Sequence, residues 1–366
     1  MRRTVLVIPE LLAPDGESAL DQRLPALQFL AEKGEPFRIS PMGTLETPEA
    51  LYLGLGPEEA QMPQGPLTVA ALGAEPPEGS THFHVSLASL LDGTFTPAVL
   101  PPTPEELRQI LELAPKLNTK KLTFVAGEEL DHALVWEGRG DMLLFPPDEA
   151  AGKPLREVLP QGDAEPLLRR FIDDSANLLT ELELNERRLD EGLRPFNVFW
   201  PWGQGLRPRL PNLALRRGLP VVVESETLRM SGLARLAAYI PGDRHWLRHG
   251  MNLDLPKLAA KALKTDALLA LISAPSGLRA DGKFEELIWF MGRLDTELLD
   301  PLVTNARQSP AELLLVAPSA HSIGLGVRFR FGDHHQNSYP FTEEATEEKS
   351  LSLVPVWQAV AQALAP

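Results

Sequence analysis

The chain of 366 residues contains no cysteine, which excludes disulfide bonds, thiolate metal sites and a cysteine nucleophile. No apolar run approaches the length of a membrane-spanning helix, so the sequence predicts no membrane association. The apolar stretch at residues 4–8 is also too short for the core of a secretory signal, and it meets Pro9 and Glu10. We therefore expect a cytoplasmic protein.

Basic residues are comparatively few. The 35 Lys and Arg residues are outnumbered by 50 Asp and Glu residues, which gives a net charge of −15. No basic stripe is present, and a nucleic-acid surface needs clustered cations to bind phosphates, so we expect no nucleic-acid partner. The 35 prolines lower the entropy of the unfolded chain, and with frequent Leu, Ala and Arg they predict a heat-stable, thermophilic protein.

Short apolar runs typical of buried strands alternate with helical patterns towards both ends of the chain. The strand candidates are residues 4–8, 220–224, 267–272 and 312–316. The helix candidates are residues 24–33, 228–238, 255–263 and 284–300. This alternation predicts an α/β fold with a mainly parallel sheet and helices on both faces.

The middle of the chain differs from both ends. Residues 81–87, 122–126 and 133–137 predict strands of a mixed or antiparallel layer, and residues 104–113 predict a helix beside them. We therefore expect a smaller α+β domain at residues 63–190, inserted into a core formed by residues 1–62 and 191–366.

Several stretches resemble one known family in order and spacing. They are residues 52–57 (YLGLGP), 65–67 (GPL), 83–93 (FHVSLASLLDG), 184–197 (LNERRLDEGLRPFN), 200–205 (WPWGQG) and 231–237 (SGLARLA). These stretches resemble the archaeal-type 2,3-bisphosphoglycerate-independent phosphoglycerate mutases of the alkaline phosphatase superfamily. The resemblance implies an alkaline-phosphatase-like core and the ancestry of a glycolytic isomerase.

The family moves a phosphoryl group through a phosphoserine, with two divalent metals such as Mn²⁺ or Mg²⁺ holding the transferring oxygens. An ungapped alignment places Leu45 at the serine, and leucine has no nucleophilic group. Thr44 is the nearest hydroxyl, one residue away, and it is the candidate nucleophile if the register shifts.

The resemblance implies metal ligands after three strands of the core. After the first strand, Glu10 stands where the family has an aspartate. After the strand at 267–272, the aspartate and histidine positions hold Ser276 and Ala280, and only Asp281 is retained. After the strand at 312–316, an aspartate–histidine pair is replaced by Ser319 and Ala320, with His321 one residue away. Glu10, Asp281 and His321 are therefore the candidate metal ligands, and the set is too incomplete to predict a bound metal.

Two positions of the family's substrate pocket also differ. A segment whose histidine and arginine suit a phosphate or carboxylate is replaced by residues 128–131 (EELD). Asp131 then stands at the arginine position, and a negative charge there repels an anion. Residues 145–149 (FPPDE) lack the histidine of the corresponding family motif.

Other chemistry-bearing residues have simpler interpretations. His82 and His84 have the spacing of one strand face, and we expect that face to be solvated rather than to line a cleft. His334 and His335 point in different directions whether in a strand or a helix, so they favour a polar turn over a chelating pair. Trp200 and Trp202 favour core packing.

Two hypotheses follow for the function. In the first, the fold is retained without catalytic activity, as a binding or scaffolding protein for an unidentified small molecule or protein, with no cofactor. In the second, the chain is an active metal-dependent phosphoglycerate mutase or phosphohydrolase with a rebuilt site. That site would use Glu10, Thr44, Asp281, His321 and the pair His334–His335. We favour the first, because loss of a nucleophile, two ligand pairs and an arginine is difficult to compensate.

Overall fold

The computed structural model describes residues 3–9, 24–39, 47, 49–56, 58–59, 61–98, 101–218, 220–242, 253–275, 278, 282–306, 311–317, 324–330 and 350–351. The chain divides into two compact units. The terminal unit combines Met1–Gln61 with Leu210–Pro366, and the middle unit is Met62–Arg209. Within the described ranges, no helix is both long and apolar enough to cross a membrane.

Strands and helices are numbered here in chain order. The strands are β1 Arg3–Pro9, β2 Glu35–Ile39, β3 Thr81–Leu91, β4 Thr94–Pro97, β5 Leu122–Glu128, β6 Asp131–Trp136, β7 Met142–Leu143, β8 Gln161–Gly162, β9 Val198–Leu206, β10 Val222–Ser225, β11 Ile240–Pro241, β12 Ala267–Ile272, β13 Ala311–Ala317, β14 Gly324–Arg330 and β15 Ser350–Leu351. The helices are α1 Pro25–Lys33, α2 Glu49–Tyr52, α3 Gln64–Ala71, α4 Pro104–Leu113, α5 Pro147–Ala150, α6 Leu155–Val158, α7 Glu165–Thr180, α8 Glu183–Asp190, α9 Leu213–Arg217, α10 Leu228–Leu236, α11 Leu255–Ala262, α12 Phe284–Arg293 and α13 Asp300–Ala306.

The sheet of the terminal unit has the strand order β11-β10-β12-β1-β13-β14-β2-β15. The strands from β11 to β13 pair in parallel, whereas β14 is antiparallel to both β13 and β2. Only residues 318–323 separate β13 from β14, too few for the crossover that a parallel pairing needs. The expected α/β class is confirmed, and the sheet is mixed.

Strand β12 lies between β10 and β1 in the sheet of the terminal unit and is buried along its whole length. Its uninterrupted apolar sequence suits a strand covered on both faces, which explains why its bounds match the sequence expectation. Leu268, Ala270 and Ile272 pack in one core cluster with α11 and α12, where Leu258 and Phe290 are fully buried.

A π-helical segment, Leu294–Leu299, joins α12 to α13. The sequence pattern predicted one helix to residue 300, and the π turn within it places Asp295 against the start of α1. The buried Asp295 carboxylate accepts hydrogen bonds from the backbone N–H groups of Ala26 (3.1 Å) and Leu27 (2.7 Å). Leu24, the residue before α1, has no side-chain oxygen to cap that helix, so Asp295 satisfies these donors.

The middle unit is built on an antiparallel sheet in the order β4-β3-β6-β5, and β9 pairs with the other edge of β3. One face of this sheet carries Phe83, Val85 and Leu87 into a core shared with Phe171 and Trp200. Because β9 pairs with β3, the unit extends to Arg209, whereas the segment expected from sequence ended at residue 190, before β9.

Candidate functional site

The candidate nucleophile Thr44 and the candidate ligands Glu10, Asp281 and His321 all lie outside the described residues. The same holds for Leu45, Ser276, Ala280, Ser319, Ala320, His334 and His335. The structure does describe the strands that precede three of these positions. Pro9 and Ile272, the last residues of β1 and β12, are paired in register, and Val7 is paired with Leu315 of β13. The carboxyl ends of three adjacent parallel strands therefore meet at one edge, where open α/β sheets bind ligands.

A fourth parallel strand, β10, brings Glu226 to this edge. Ser225 of β10 is paired with Leu271 of β12, so Glu226 and Ser273 leave the sheet side by side. The Glu226 atom Oε1 accepts hydrogen bonds from the backbone N–H of Ser273, from the Ser273 hydroxyl (2.5 Å) and from the backbone N–H of Ala274 (2.7 Å). Burial raises the pKa of Glu226, and the three hydrogen bonds oppose that rise.

The turn that carries Glu226 is fixed by its neighbours. The Ser225 hydroxyl accepts a hydrogen bond from the Thr227 backbone N–H (3.1 Å), and the two side-chain oxygens lie 3.1 Å apart. Thr227 in turn caps α10, because its hydroxyl oxygen accepts from the Met230 N–H. The sequence pattern had not singled out Glu226. The available signal was the polar triplet at residues 225–227, which begins with the last residue of β10 at a sheet edge that binds ligands.

The second set of polar groups lies in the middle unit, where Asp131 begins β6. Its Oδ1 atom is 3.2 Å from Nε2 of His84, and Nδ1 of His84 is 2.8 Å from the Thr68 hydroxyl. The His84 ring packs edge-on against Trp202, whose indole N–H donates to the Ser86 hydroxyl. The carboxylate of Asp131 thus pairs with a histidine of the same unit.

The solvated face expected for His82 and His84 is wrong. Both side chains do share a face of β3, but both residues are only 3% exposed, because α3 covers that face. Gly65 permits this close approach, since a Cβ atom there would lie 2.4 Å from the carbonyl oxygen of His82. The Gly65-Pro66 pair in the sequence was the signal for a helix packed tightly against a strand. Trp200 is in the core, as expected.

The order Asp131–His84–Thr68 has the composition of a hydrolytic triad, but Thr68 cannot act as a nucleophile. Thr68 is fully buried inside α3, and its hydroxyl donates to the carbonyl oxygen of Gln64 (3.0 Å). A nucleophile must reach its substrate, and a hydroxyl bonded back to its own helix does not. These three residues therefore hold α3 on the sheet.

Burial keeps two histidines of this unit neutral. His132 is fully buried and accepts a hydrogen bond from the Gly127 N–H at Nδ1 (3.0 Å), and desolvation lowers its pKa to about 3. Desolvation, aided by Arg207, lowers the pKa of His82 to about 4. Both folded-state pKa values lie below the ordinary value of 6.5. Below pH 6.5 these histidines therefore bind more protons in the unfolded chain than in the folded chain.

We therefore expect stability to fall as the pH drops below 6.5. Each histidine is expected to cost about 2 kcal/mol between pH 6.5 and pH 5, at 1.4 kcal/mol per pKa unit. His132→Asn keeps an acceptor for the Gly127 N–H and removes one titrating group. Denaturant unfolding at several pH values should show a shallower pH dependence for this variant, and an unchanged slope would contradict the assignment.

Residues 184–197, the segment with the strongest family resemblance, form a structural clamp. By this we mean that their side chains join separate segments of the middle unit through hydrogen bonds. Asn185 donates to the carbonyl oxygens of Leu179 (2.8 Å) and Phe196 (2.9 Å) and accepts from the Phe196 N–H (2.7 Å). Asn197 bonds both backbone groups of Leu90 in the same way, at 2.7 and 2.9 Å. These buried amide side chains replace backbone pairing where the chain has no regular structure.

Arg188 completes the clamp. Its guanidinium lies 3.9 Å from the ring centroid of Phe196, donates to the carbonyl oxygen of Arg194 (2.8 Å) and pairs with Glu106 (2.8 Å). These contacts all lie within the middle unit. The motif therefore has a structural role in this unit.

Comparisons with known proteins agree with this resemblance. A model of the family described as 2,3-bisphosphoglycerate-independent phosphoglycerate mutase matches residues 49–185. A protein of that name from Methanothrix thermoacetophila is 25% identical over 295 residues, 79% of this chain and 74% of the relative. The 2,3-bisphosphoglycerate-independent phosphoglycerate mutase 1 of Archaeoglobus fulgidus is 26% identical over 350 residues, 89% of this chain and 84% of the relative.

Two solved structures share the fold. A protein from Pyrococcus horikoshii has a TM-score of 0.73 at 15% identity, covering 100% of this chain and 98% of that one. The cofactor-independent phosphoglycerate mutase of Thermoplasma acidophilum has a TM-score of 0.62 at 18% identity, covering 100% of both chains. The family model and the relatives show that this chain is similar to the 2,3-bisphosphoglycerate-independent phosphoglycerate mutases.

Proposed function

We propose that this protein retains the mutase fold as a binding or scaffolding protein and does not catalyse the mutase reaction. In this proposal the terminal unit is an alkaline-phosphatase-like core, and the middle unit is a domain inserted into it. The ligand is a small molecule or a protein, and the location is cytoplasmic. The proposal is supported by which residues stand at the positions that the family uses for chemistry.

The observation that carries the proposal is Asp131. The family resemblance puts an anion-binding arginine at this position, and here the side chain is a carboxylate engaged with His84 at 3.2 Å. A phosphate or carboxylate of a phosphoglycerate would meet a negative charge in place of a bidentate cation. The direct test is an assay with 3-phosphoglycerate, for which we expect no turnover.

The two divalent metals of the family do not fit the donors in this sequence. Among the residues that the structure describes, no group of three or more His, Cys, Asp or Glu side chains could hold a metal ion. At the aligned ligand positions, Ala280 and Ala320 have no donor atom, and the hydroxyls of Ser276 and Ser319 are poor substitutes for aspartate. We therefore assign no step of any reaction to a metal.

The metal content of the purified protein tests this conclusion. We expect less than stoichiometric manganese, zinc or magnesium after dialysis, because the aligned positions lack paired aspartate and histidine ligands. Elemental analysis by plasma mass spectrometry provides the measurement. Recovery of about two divalent ions per chain, the number in two-metal phosphoryl-transfer sites, would show that the ligand positions are misaligned and would favour the active alternative.

A further inference from the structure

Three hydrogen-bond donors converge on one oxygen atom at the carboxyl end of β12. They are the backbone N–H groups of Ser273 and Ala274, which are consecutive, and the Ser273 hydroxyl. Successive backbone N–H groups that point to one spot form a concave site for an anion, and an added hydroxyl strengthens it. Donor groups arranged in this way would also suit a terminal oxygen of a phosphate or a carboxylate.

The occupant of this site is the chain's own Glu226. All three hydrogen bonds fall on Oε1, and within the described part of the chain no residue forms a hydrogen bond with Oε2. A carboxylate that only tied two loops together could distribute its bonds over both oxygens. With three donors on one of its two oxygens, the Glu226 carboxylate is bound in the way that a monodentate oxyanion ligand would be.

The location also favours ligand binding. Ser273 directly follows β12, whose last residue Ile272 is paired with Pro9 at the end of β1, and Glu226 follows the neighbouring strand β10. Ligands of open α/β sheets bind beyond the carboxyl ends of such strands. Glu226 therefore fills an anion-binding position at an edge where a ligand is expected.

The energetics allow exchange of the occupant. Removal of the carboxylate leaves partly buried donors unsatisfied, which is unfavourable unless another acceptor replaces it. The carboxylate itself is opposed by burial, which raises its pKa. An incoming oxyanion supplies the same acceptor, and Glu226 regains its solvation when it leaves.

We propose that Ser273 and Ala274 form an oxyanion-binding site for a phosphate or carboxylate group of a ligand, and that the Glu226 side chain holds this site closed. The side chain acts as a tethered competitor, so the apparent affinity for the ligand is reduced by the fraction of molecules in which the site is open. The inference concerns binding alone, and it holds whether or not the chain turns over a phosphoglycerate.

Three variants test the proposal. Glu226→Ala removes the competitor and opens the site, whereas Glu226→Gln keeps a neutral oxygen that can accept the same bonds. Calorimetric titration with inorganic phosphate is expected to show binding to the alanine variant at least about tenfold tighter than to the wild type or the glutamine variant. Adding Ser273→Ala to the alanine variant should weaken that binding several-fold. A parallel titration with acetate separates a phosphate site from a general oxyanion site.

The outcomes are distinct. If the folded alanine variant binds neither phosphate nor acetate, Glu226 is only a clamp between β10 and β12, and the proposal is wrong. Equal phosphate affinity of wild type and alanine variant would also overturn it, because no competition would then exist. If Glu226→Ala does not fold, Glu226→Ser provides a second short side chain, and the same phosphate affinities decide.

Discussion

Purified protein supplied with 3-phosphoglycerate is expected to form no 2-phosphoglycerate above the buffer background, with or without added Mn²⁺. Transfer through a phosphoenzyme needs a hydroxyl nucleophile, a metal that holds it and cations that neutralise the phosphoryl oxygens. Here the aligned nucleophile is Leu45 and the arginine position holds Asp131. Losing one stabilising group typically lowers a rate by about a hundredfold or more, and these losses coincide.

The control for this assay is a Thr44→Ala variant, with an active mutase of the family measured in parallel. Metal-dependent turnover that disappears in the variant would make Thr44 the nucleophile and would reject the inactive interpretation. Turnover that survives the substitution would reject that interpretation too, and the nucleophile would then be another residue. A coupled enolase assay detects the product in either case.

The substitution Asn185→Ala is expected to destabilise the protein by about 4 kcal/mol, since each buried group that loses its partner costs about 1–3 kcal/mol. The side chain makes three hydrogen bonds of 2.7 to 2.9 Å in a buried position. Alanine would leave the N–H of Phe196 and the carbonyl oxygens of Leu179 and Phe196 without their partner. Denaturant unfolding followed by tryptophan fluorescence measures the change.

A matched control is Asn212→Ala in the terminal unit. Asn212 makes a single capping hydrogen bond, accepting from the Leu215 N–H at 2.8 Å, and loss of such a cap costs about 1 kcal/mol. An Asn185 variant no less stable than the Asn212 variant would show that the 184–197 segment is not a clamp. The resemblance in that segment would then require a functional explanation.

The sequence predicted those elements whose pattern depends on burial alone. Strand β12 is apolar throughout because both of its faces are covered, so its bounds could be derived from the sequence. Helix α12 was placed correctly at its start, but the pattern gave no sign of the π turn that follows. That turn is explained by the contact of Asp295 with α1, whose residue Leu27 is 268 residues away in the sequence.

The candidate sites were harder to predict for the same reason. The face of His82 and His84 was assigned correctly as a shared face and wrongly as solvated, because the pattern of a strand does not show that the preceding helix, α3, packs on it. Glu226 and Ser273 are brought together by the pairing of β10 with β12, which no local pattern specifies. The motifs indicated a resemblance to the family. The roles of Asn185 and Asn197, in contrast, could be assigned only from their hydrogen bonds in the structure.

The position of β1 also has a consequence for synthesis on the ribosome. Strand β1 lies between β12 and β13, which follow it in the sequence by more than 250 residues. The two strands that pair with β1 are complete only when residues 267–272 and 311–317 have been translated. Until then both edges of β1 lack their partners in the sheet. The middle unit pairs its strands within residues 81–206 and can fold while the ribosome is still working. We expect the order of folding to be middle first and ends last, with β1 the segment that most needs a chaperone.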